Sequence, residues 1–266
     1  MPVISLAVLF ALYTAGLVRV WRHAGVGAGV AAWEATAFAG GFLALLIALS
    51  PPLDDLSDHW LVAHMAQHEL LMAVAAPLIA LSAPLFVTLW ALPADLRKRG
   101  LAALRAKPII AAWSALTSPL SAFLLHFAAL WLWHLPTLYD AALRHEAVHA
   151  LQHLWFFGTA ALFWWGIAHG RYGRAGYGAA VVYVFATAIQ SGVLGALLTF
   201  SPHVWYTPYA IPHGSLSPLE DQQLAGLLMW VPAGLVFVAG GLALFAAWLR
   251  ESDRRTRFHR VIHNRL

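Results

Sequence analysis

The chain has no cysteine among its 266 residues. That excludes a disulfide framework, a thiolate metal site and thioredoxin-type chemistry. Charge is also scarce, at 11% of residues against 61% hydrophobic. A soluble domain carries roughly a quarter charged residues, so this chain cannot cover a water-facing surface with polar groups. The bilayer is the solvent that accepts it. No glycine-rich phosphate loop and no nucleophile–base constellation accompanies the apolar runs, which argues against an ATP-driven pump. There is no internal repeat, no low-complexity segment and no loop long enough for a soluble module, so residues 1–266 read as a single integral membrane domain. The formal net charge of +4 does not point to nucleic acid, because the positive residues sit in short loops between apolar runs, where they set topology.

About seven apolar runs follow in order: Val3–Val18, Val30–Leu49, His59 to about Leu92, Ile109–Trp133, His149–His169, Tyr177–Phe200 and Asp221–Trp248. The expected fold is all-α, a polytopic transmembrane helix bundle. Positive charge follows the first run, as Arg19 and Arg22, rather than preceding it, so that run is read as a retained span with its N-terminus outside. The inside loops then hold every Lys and Arg except Arg144: Arg97, Lys98, Arg99, Arg105 and Lys107 in one, Arg171 and Arg174 in another, and Arg250, Arg254, Arg255, Arg257, Arg260 and Arg265 in the tail. The acids Asp54, Asp55, Asp58, Glu69, Asp140, Glu146, Glu220 and Asp221 fall at the outer face, and the C-terminus lies inside. Pro77 and Pro84 interrupt the third run, and each removes a helix hydrogen bond, so kinks are expected there. Gln190 and Ser191, at mid-depth in the sixth run, read as hydrogen-bonding glue between helices.

What the chain has in excess is histidine. Its 14 histidines are about twice the ordinary share. Nine of them, His59, His64, His68, His134, His145, His149, His153, His203 and His213, fall at or near the outer face; His23, His169, His259 and His263 lie inside, and His126 is within the fourth run. One interfacial histidine needs no explanation beyond tolerance of the headgroup region. Two stripes do. His64, His68 and Met72 are spaced i, i+4, i+8, and His145, His149 and His153 repeat that spacing. On a helix each set forms a line down one face. Two imidazoles one turn apart can hold one ion from a single face, and neither pair carries the glutamate of the HExxH protease signature. Two such pairs at matching depth can bring four imidazoles, His64, His68, His149 and His153, to one metal.

Copper is the first choice among the metals that imidazole suits, because thioether adds a preference for Cu(I). Met65 and Met72 accompany the first pair and Met229 lies on the last run; gap-filling in the core is the other reading for each. The acidic outer loops concentrate cations there. Asp221 carries two readings, a helix N-cap or a carboxylate that orients a ligand imidazole, and Asp140 presents the same choice.

The run His64-Met65-Ala66-Gln67-His68-Glu69-Leu70-Leu71, then Ala75-Ala76-Pro77-Leu78, resembles the CtaG family of multi-spanning cytochrome c oxidase assembly factors. The similarity continues through Trp133-His134, Tyr139-Asp140-Ala141-Ala142, Val148-His149 to His153, and Asp221-Gln222-Gln223-Leu224-Ala225-Gly226 with Met229-Trp230. The resemblance implies a bacterial inner-membrane, non-enzymatic factor that serves the making of haem–copper oxidase and acts in copper insertion. Its partners would be oxidase subunits and a periplasmic copper chaperone. It assigns the metal role to His64, His68, His149 and His153, with Met72, His134, His145, Asp221 and Met229 as further candidates.

Two other readings stand beside it. A b-type cytochrome needs one axial histidine from each of two facing helices, and His68 with His153 supplies that pair. A cation or proton transporter would need polar groups continuing to the inner side, where Gln190, His126 and His169 offer little of such a path.

Overall fold

The computed structural model describes residues 2–169, 176–212 and 214–263, with side chains for 4–169, 178–212 and 214–252. Arg171, Arg174, His213 and Arg265 lie outside the described residues, as do the side chains of Arg254, Arg255, Arg257, His259, Arg260 and His263. The fold is helical throughout, with no strand among the described residues. Its elements in order are α1 (Pro2–Ala24), α2 (Ala32–Ala48), α3 (Leu53–Ser57), α4 (Leu61–Glu69), a π-helix (Leu70–Ala75), α5 (Ala76–Leu81), α6 (Pro84–Trp90), α7 (Ala94–Leu104), α8 (Lys107–Leu116), α9 (Pro119–Trp133), α10 (Pro136–Arg144), α11 (Glu146–His169), α12 (Gly176–Phe200), a 3₁₀ turn (Thr207–Tyr209) and α13 (Pro218–His263).

Four helical stretches are long and apolar enough to cross a membrane: Ile4–Ala24, Leu61–Leu81, Gly178–Phe200 and Pro218–Ser252. The pair α8 and α9 makes a fifth if it is taken as one span bent by 61°. Two of the seven expected runs fall short for separate reasons. Helix α2 has 17 residues, under the ~20 of a typical span. Helix α11 has the length, 24 residues, but His149, Gln152, His153 and His169 lower its apolarity.

The prolines act much as the sequence predicts, with local detail it does not contain. The helix widens into π geometry over Leu70–Ala75, immediately before Pro77, which gives the ring room that the α-helical register denies it. At Pro84 the chain breaks outright, with Ala83 in the left-handed region at φ 50. The fourth run, expected as one helix, divides at Thr117. There Ser118 begins α9 with its hydroxyl accepting the N–H of Ser121, and Pro119 takes the first helical position, where its missing N–H costs nothing.

Two apolar clusters organise the packing. The larger joins α4, α9, α10, α11, α12 and α13, with Tyr139, Phe156, Leu198 and Tyr206 fully buried. The smaller joins α1, α2, the π-helix and α6 around Tyr13, whose ring stacks on Phe38 at 3.5 Å and whose hydroxyl donates to the Ser82 carbonyl. Arg19 of α1 closes the end of α6 by donating to the carbonyls of Trp90, Ala91 and Leu92.

Helices α12 and α13 form the most extensive helix pair. Small residues allow it. A Cβ placed on Gly226 would lie 2.5 Å from the Thr199 hydroxyl and 2.6 Å from the Gly195 carbonyl oxygen. Close backbone approach through glycine is a standard membrane contact. Gly226→Ala is therefore expected to lower the thermal midpoint of the detergent-solubilised protein. Gly234→Ala, where a Cβ meets nothing within 4 Å, is expected to leave it unchanged or slightly raised.

Candidate metal centre

The centre is built from α4 and α11, whose histidine pairs face each other. The α-helical period puts His64 and His68 one turn apart on one side of α4, and His149 and His153 one turn apart on α11. The ligand atoms of His64, His149 and His153 all lie within 4.8 Å of one another. His68 joins through His64, their Nε2 atoms 3.0 Å apart. Ring centroids are 5.0 Å apart for His64–His149, 6.1 Å for His64–His153 and 5.3 Å for His68–His153. Two imidazoles sharing an ion over metal–nitrogen bonds of about 2 Å have centroids no more than about 6 Å apart, so this spacing suits a small cation.

Hydrogen bonding prepares these nitrogens for a ligand. The Tyr209 hydroxyl donates its proton to the Ser57 carbonyl at 2.5 Å, since a carbonyl can only accept. Toward Nδ1 of His64, 2.9 Å away, the same oxygen must therefore accept. His64 thus carries its proton on Nδ1, and its Nε2 lone pair faces the cluster. Burial raises the Tyr209 phenol well above its ordinary range, and the Asp58 and Asp221 carboxylates push the same way, so that proton stays in place. Nε2 of His149 and of His153 is buried with no hydrogen-bond partner among the described residues. Buried polar atoms are ordinarily satisfied, so these nitrogens fit a group that supplies a Lewis acid.

The remaining candidates divide. His134, at the end of α9, is buried with Nδ1 donating to the Leu130 carbonyl and Nε2 unpartnered; its ring lies 6.2 Å from that of His68. His145 does not continue the second stripe, which is a correction. Helix α10 ends at Arg144 and α11 starts at Glu146, and the extended backbone of His145 (φ −135, ψ 109) leaves it exposed at the junction. Met72 and Met229 are buried in the larger apolar cluster together with Met65.

Asp221 does not cap its own helix. The cap of α13 is Ser217, in a capping box with Glu220, whose carboxylate accepts the Ser217 N–H at 2.8 Å. Asp221 instead reaches a different helix. Its two carboxylate oxygens accept the N–H groups of Leu61 at 2.7 Å and Val62 at 3.0 Å, at the start of α4. Trp60, the cap residue of α4, supplies no side-chain acceptor, so Asp221 closes that helix in trans. Asp140 likewise braces the backbone segments around the centre, accepting from the Thr207 hydroxyl and pairing with Arg144 at 3.7 Å.

Residues 201–212 cross the centre as a strap. Tyr206 donates to the His134 carbonyl at 3.1 Å and stacks on Tyr139 at 3.9 Å, Thr207 holds Asp140, and Tyr209 holds both Ser57 and His64. Sequence reading assigned no role to Tyr206, Tyr209 or Gln67. Gln67 had a signal: both pairs read HxxQH, with Gln67 and Gln152 at the same place. Gln67 donates to Asp54 and to the Ala48 carbonyl, each at 2.7 Å, fixing the acidic loop beside α4. The carboxylates of Asp54 and Asp58 are within electrostatic reach of His149, on the half-buried side of the centre. Tyr209 had none, because its partners lie 145 and 152 residues away.

A family model for the cytochrome c oxidase caa3 assembly factor (Caa3_CtaG) matches residues 11–251, which include every residue of the centre. The chain belongs to that family. No curated protein and no solved structure matches it. The family match starts inside α1, earlier than the second span from which the resemblance was expected, and stops before most of the basic tail. A factor of this family works with cytochrome c oxidase, and the apolar helices are those of a membrane protein.

Two outcomes follow from this geometry. Tyr209→Phe removes the acceptor for His64 Nδ1–H and is expected to weaken metal binding about 10–100-fold, measured by competition with a chromophoric chelator, with the helix content unchanged. Asp221→Ala leaves two helix-terminal N–H groups without their charged acceptor, a loss of about 1.5–3 kcal/mol per bond. It is expected to lower the thermal midpoint, and Asp221→Asn less so.

Proposed function

We propose that this caa3 assembly factor is a non-enzymatic copper carrier of the bacterial inner membrane. It takes the ion on the periplasmic side from a copper chaperone and passes it to a subunit of cytochrome c oxidase. The observation that supports this reading is the convergence of the α4 and α11 histidine pairs, with unpartnered Nε2 atoms on His149 and His153. Imidazole donors without a single carboxylate in the ligand group suit copper, as they suit zinc, iron and nickel, and the resemblance to factors that serve haem–copper oxidase favours copper among these. A carrier must also let go. Imidazoles that differ in burial, half-exposed on α11 and fully buried on α4, let the ion exchange ligands one at a time.

The periplasmic side comes from topology. Counting α11, whose 24 residues span about 36 Å, and α2, whose 17 residues are at the short end of the range for a span, gives seven crossings. An outside N-terminus then puts the basic loops and tail inside and the histidine centre at the outer ends of its helices. The b-type haem alternative is less well supported. His68 is packed against His64 at 4.4 Å and Phe156 at 4.6 Å, and those rings occupy space that a macrocycle between His68 and His153 would need.

The protein purified in detergent and offered Cu(I) under reducing conditions is expected to hold at least one equivalent of copper and to show no Soret band. His68→Ala and His153→Ala are each expected to lower bound copper and cellular oxidase activity while still inserting into the membrane. Wild-type copper content in both variants, or a haem spectrum, would sink the proposal.

A further inference from the structure

His134 stands outside the group of ligand atoms formed by His64, His149 and His153, yet it is built like a ligand. Only 2% of it is exposed. Its Nδ1–H is spent on the Leu130 carbonyl at 2.7 Å, so Nε2 carries the lone pair, and Nε2 is buried with no partner among the described residues. His68 is in the same position by a longer route. With the outer group empty, the Ser57 carbonyl accepts from the Tyr209 hydroxyl, Tyr209 accepts from His64 Nδ1–H, and the buried lone pair of His64 Nε2 accepts from His68 Nε2–H across 3.0 Å. The bare nitrogen of His68 is then Nδ1, which is also buried and unpartnered. The Tyr139 hydroxyl is the third such atom, on a side chain with no exposure at all.

These three side chains stand together. Ring centroids are 6.2 Å apart for His68–His134, 5.9 Å for His134–Tyr139 and 6.4 Å for His68–Tyr139. The His68–His134 separation is that of two imidazoles on opposite sides of one ion, with metal–nitrogen bonds of about 2 Å on each side. Phe156 closes the space with an apolar wall, 4.6 Å from His68 and 5.7 Å from His134. No carboxylate belongs to this set. Burying a charge costs steeply more for a divalent than for a monovalent ion, and copper, which imidazole suits, has a monovalent state. His134 also lines an apolar cavity of about 370 Å³ with Trp131, Leu135, Pro136, Leu194 and Trp205.

We propose that His68, His134 and Tyr139 form a second, inner station for Cu(I), distinct from the outer group of His64, His149 and His153. His68 serves both: Nε2 faces the outer group and Nδ1 the inner station. A neutral imidazole has one lone pair, so it serves one station at a time. The tautomer that the His64 hydrogen bond selects, with the proton on Nε2 of His68, is the one that turns the His68 lone pair to the inner station. This rests on the copper-handling reading above.

The test is Cu(I) titration of the full-length protein in detergent against a chromophoric chelator. The wild type is expected to bind two equivalents. His134→Ala is expected to bind one, with the affinity of the remaining site within about 3-fold of the wild-type outer site, while His153→Ala weakens the other equivalent. Tyr139→Phe keeps the ring stacked on Tyr206 and is expected to weaken the second equivalent about 10-fold; it decides the matter if His134→Ala does not fold. A single wild-type equivalent, or two equivalents retained in the folded variants, overturns the inner station and leaves the outer site standing. No copper on the wild type overturns the copper reading and the station together.

Discussion

Helix α4 carries half of the candidate metal centre, and it is held by a carboxylate from the far end of the chain. Asp221 binds the first two N–H groups of α4 from 160 and 159 residues away. A helix start buried without acceptors is costly, and more so near a bilayer where water does not substitute. The negative charge also complements the positive end of the helix dipole. That one contact sets the height and direction of α4 relative to α13, and with them the positions of His64 and His68.

Around this anchor the strap of residues 201–212 does the finer work. It touches the ends of α3, α4, α9 and α10 through Tyr206, Thr207 and Tyr209. Because its hydrogen bonds end on the Ser57 carbonyl, the direction of the proton chain through Tyr209 and His64 is determined, and so is the nitrogen that each ring leaves bare. His64 is oriented by a phenol and His134 by a backbone carbonyl, and no carboxylate is hydrogen-bonded to either among the described residues.

Much of this was legible along the chain. Scarce charge, the apolar runs and the absence of cysteine led to an all-helical membrane protein, and the two HxxxH pairs at matching depth led to the residues that meet. Asp221 was visible as important but not in its role, because capping in trans cannot be seen from local spacing. His145 was misplaced for the opposite reason. Spacing alone put it on the stripe, while the chain leaves α10 and enters α11 around it. The HxxQH repeat contained Gln67 and Gln152 openly, although what a buried amide touches is a matter of tertiary contact.

The sequence by itself determined the solvent of this protein, its helical class and the helix faces on which its histidines stand, because apolarity and the 3.6-residue period are local properties. It also carried the family, through motifs spread from α4 to α13. Only the tertiary structure decided that α4 and α11 present those faces to each other, that Tyr209 and Ser57 choose the protonated nitrogen of His64, and that His134 and Tyr139 gather behind them. The first and last depend on tertiary packing, and the His64 tautomer depends on hydrogen bonds between residues more than a hundred positions apart, because no local pattern encodes which distant carbonyl will accept a proton.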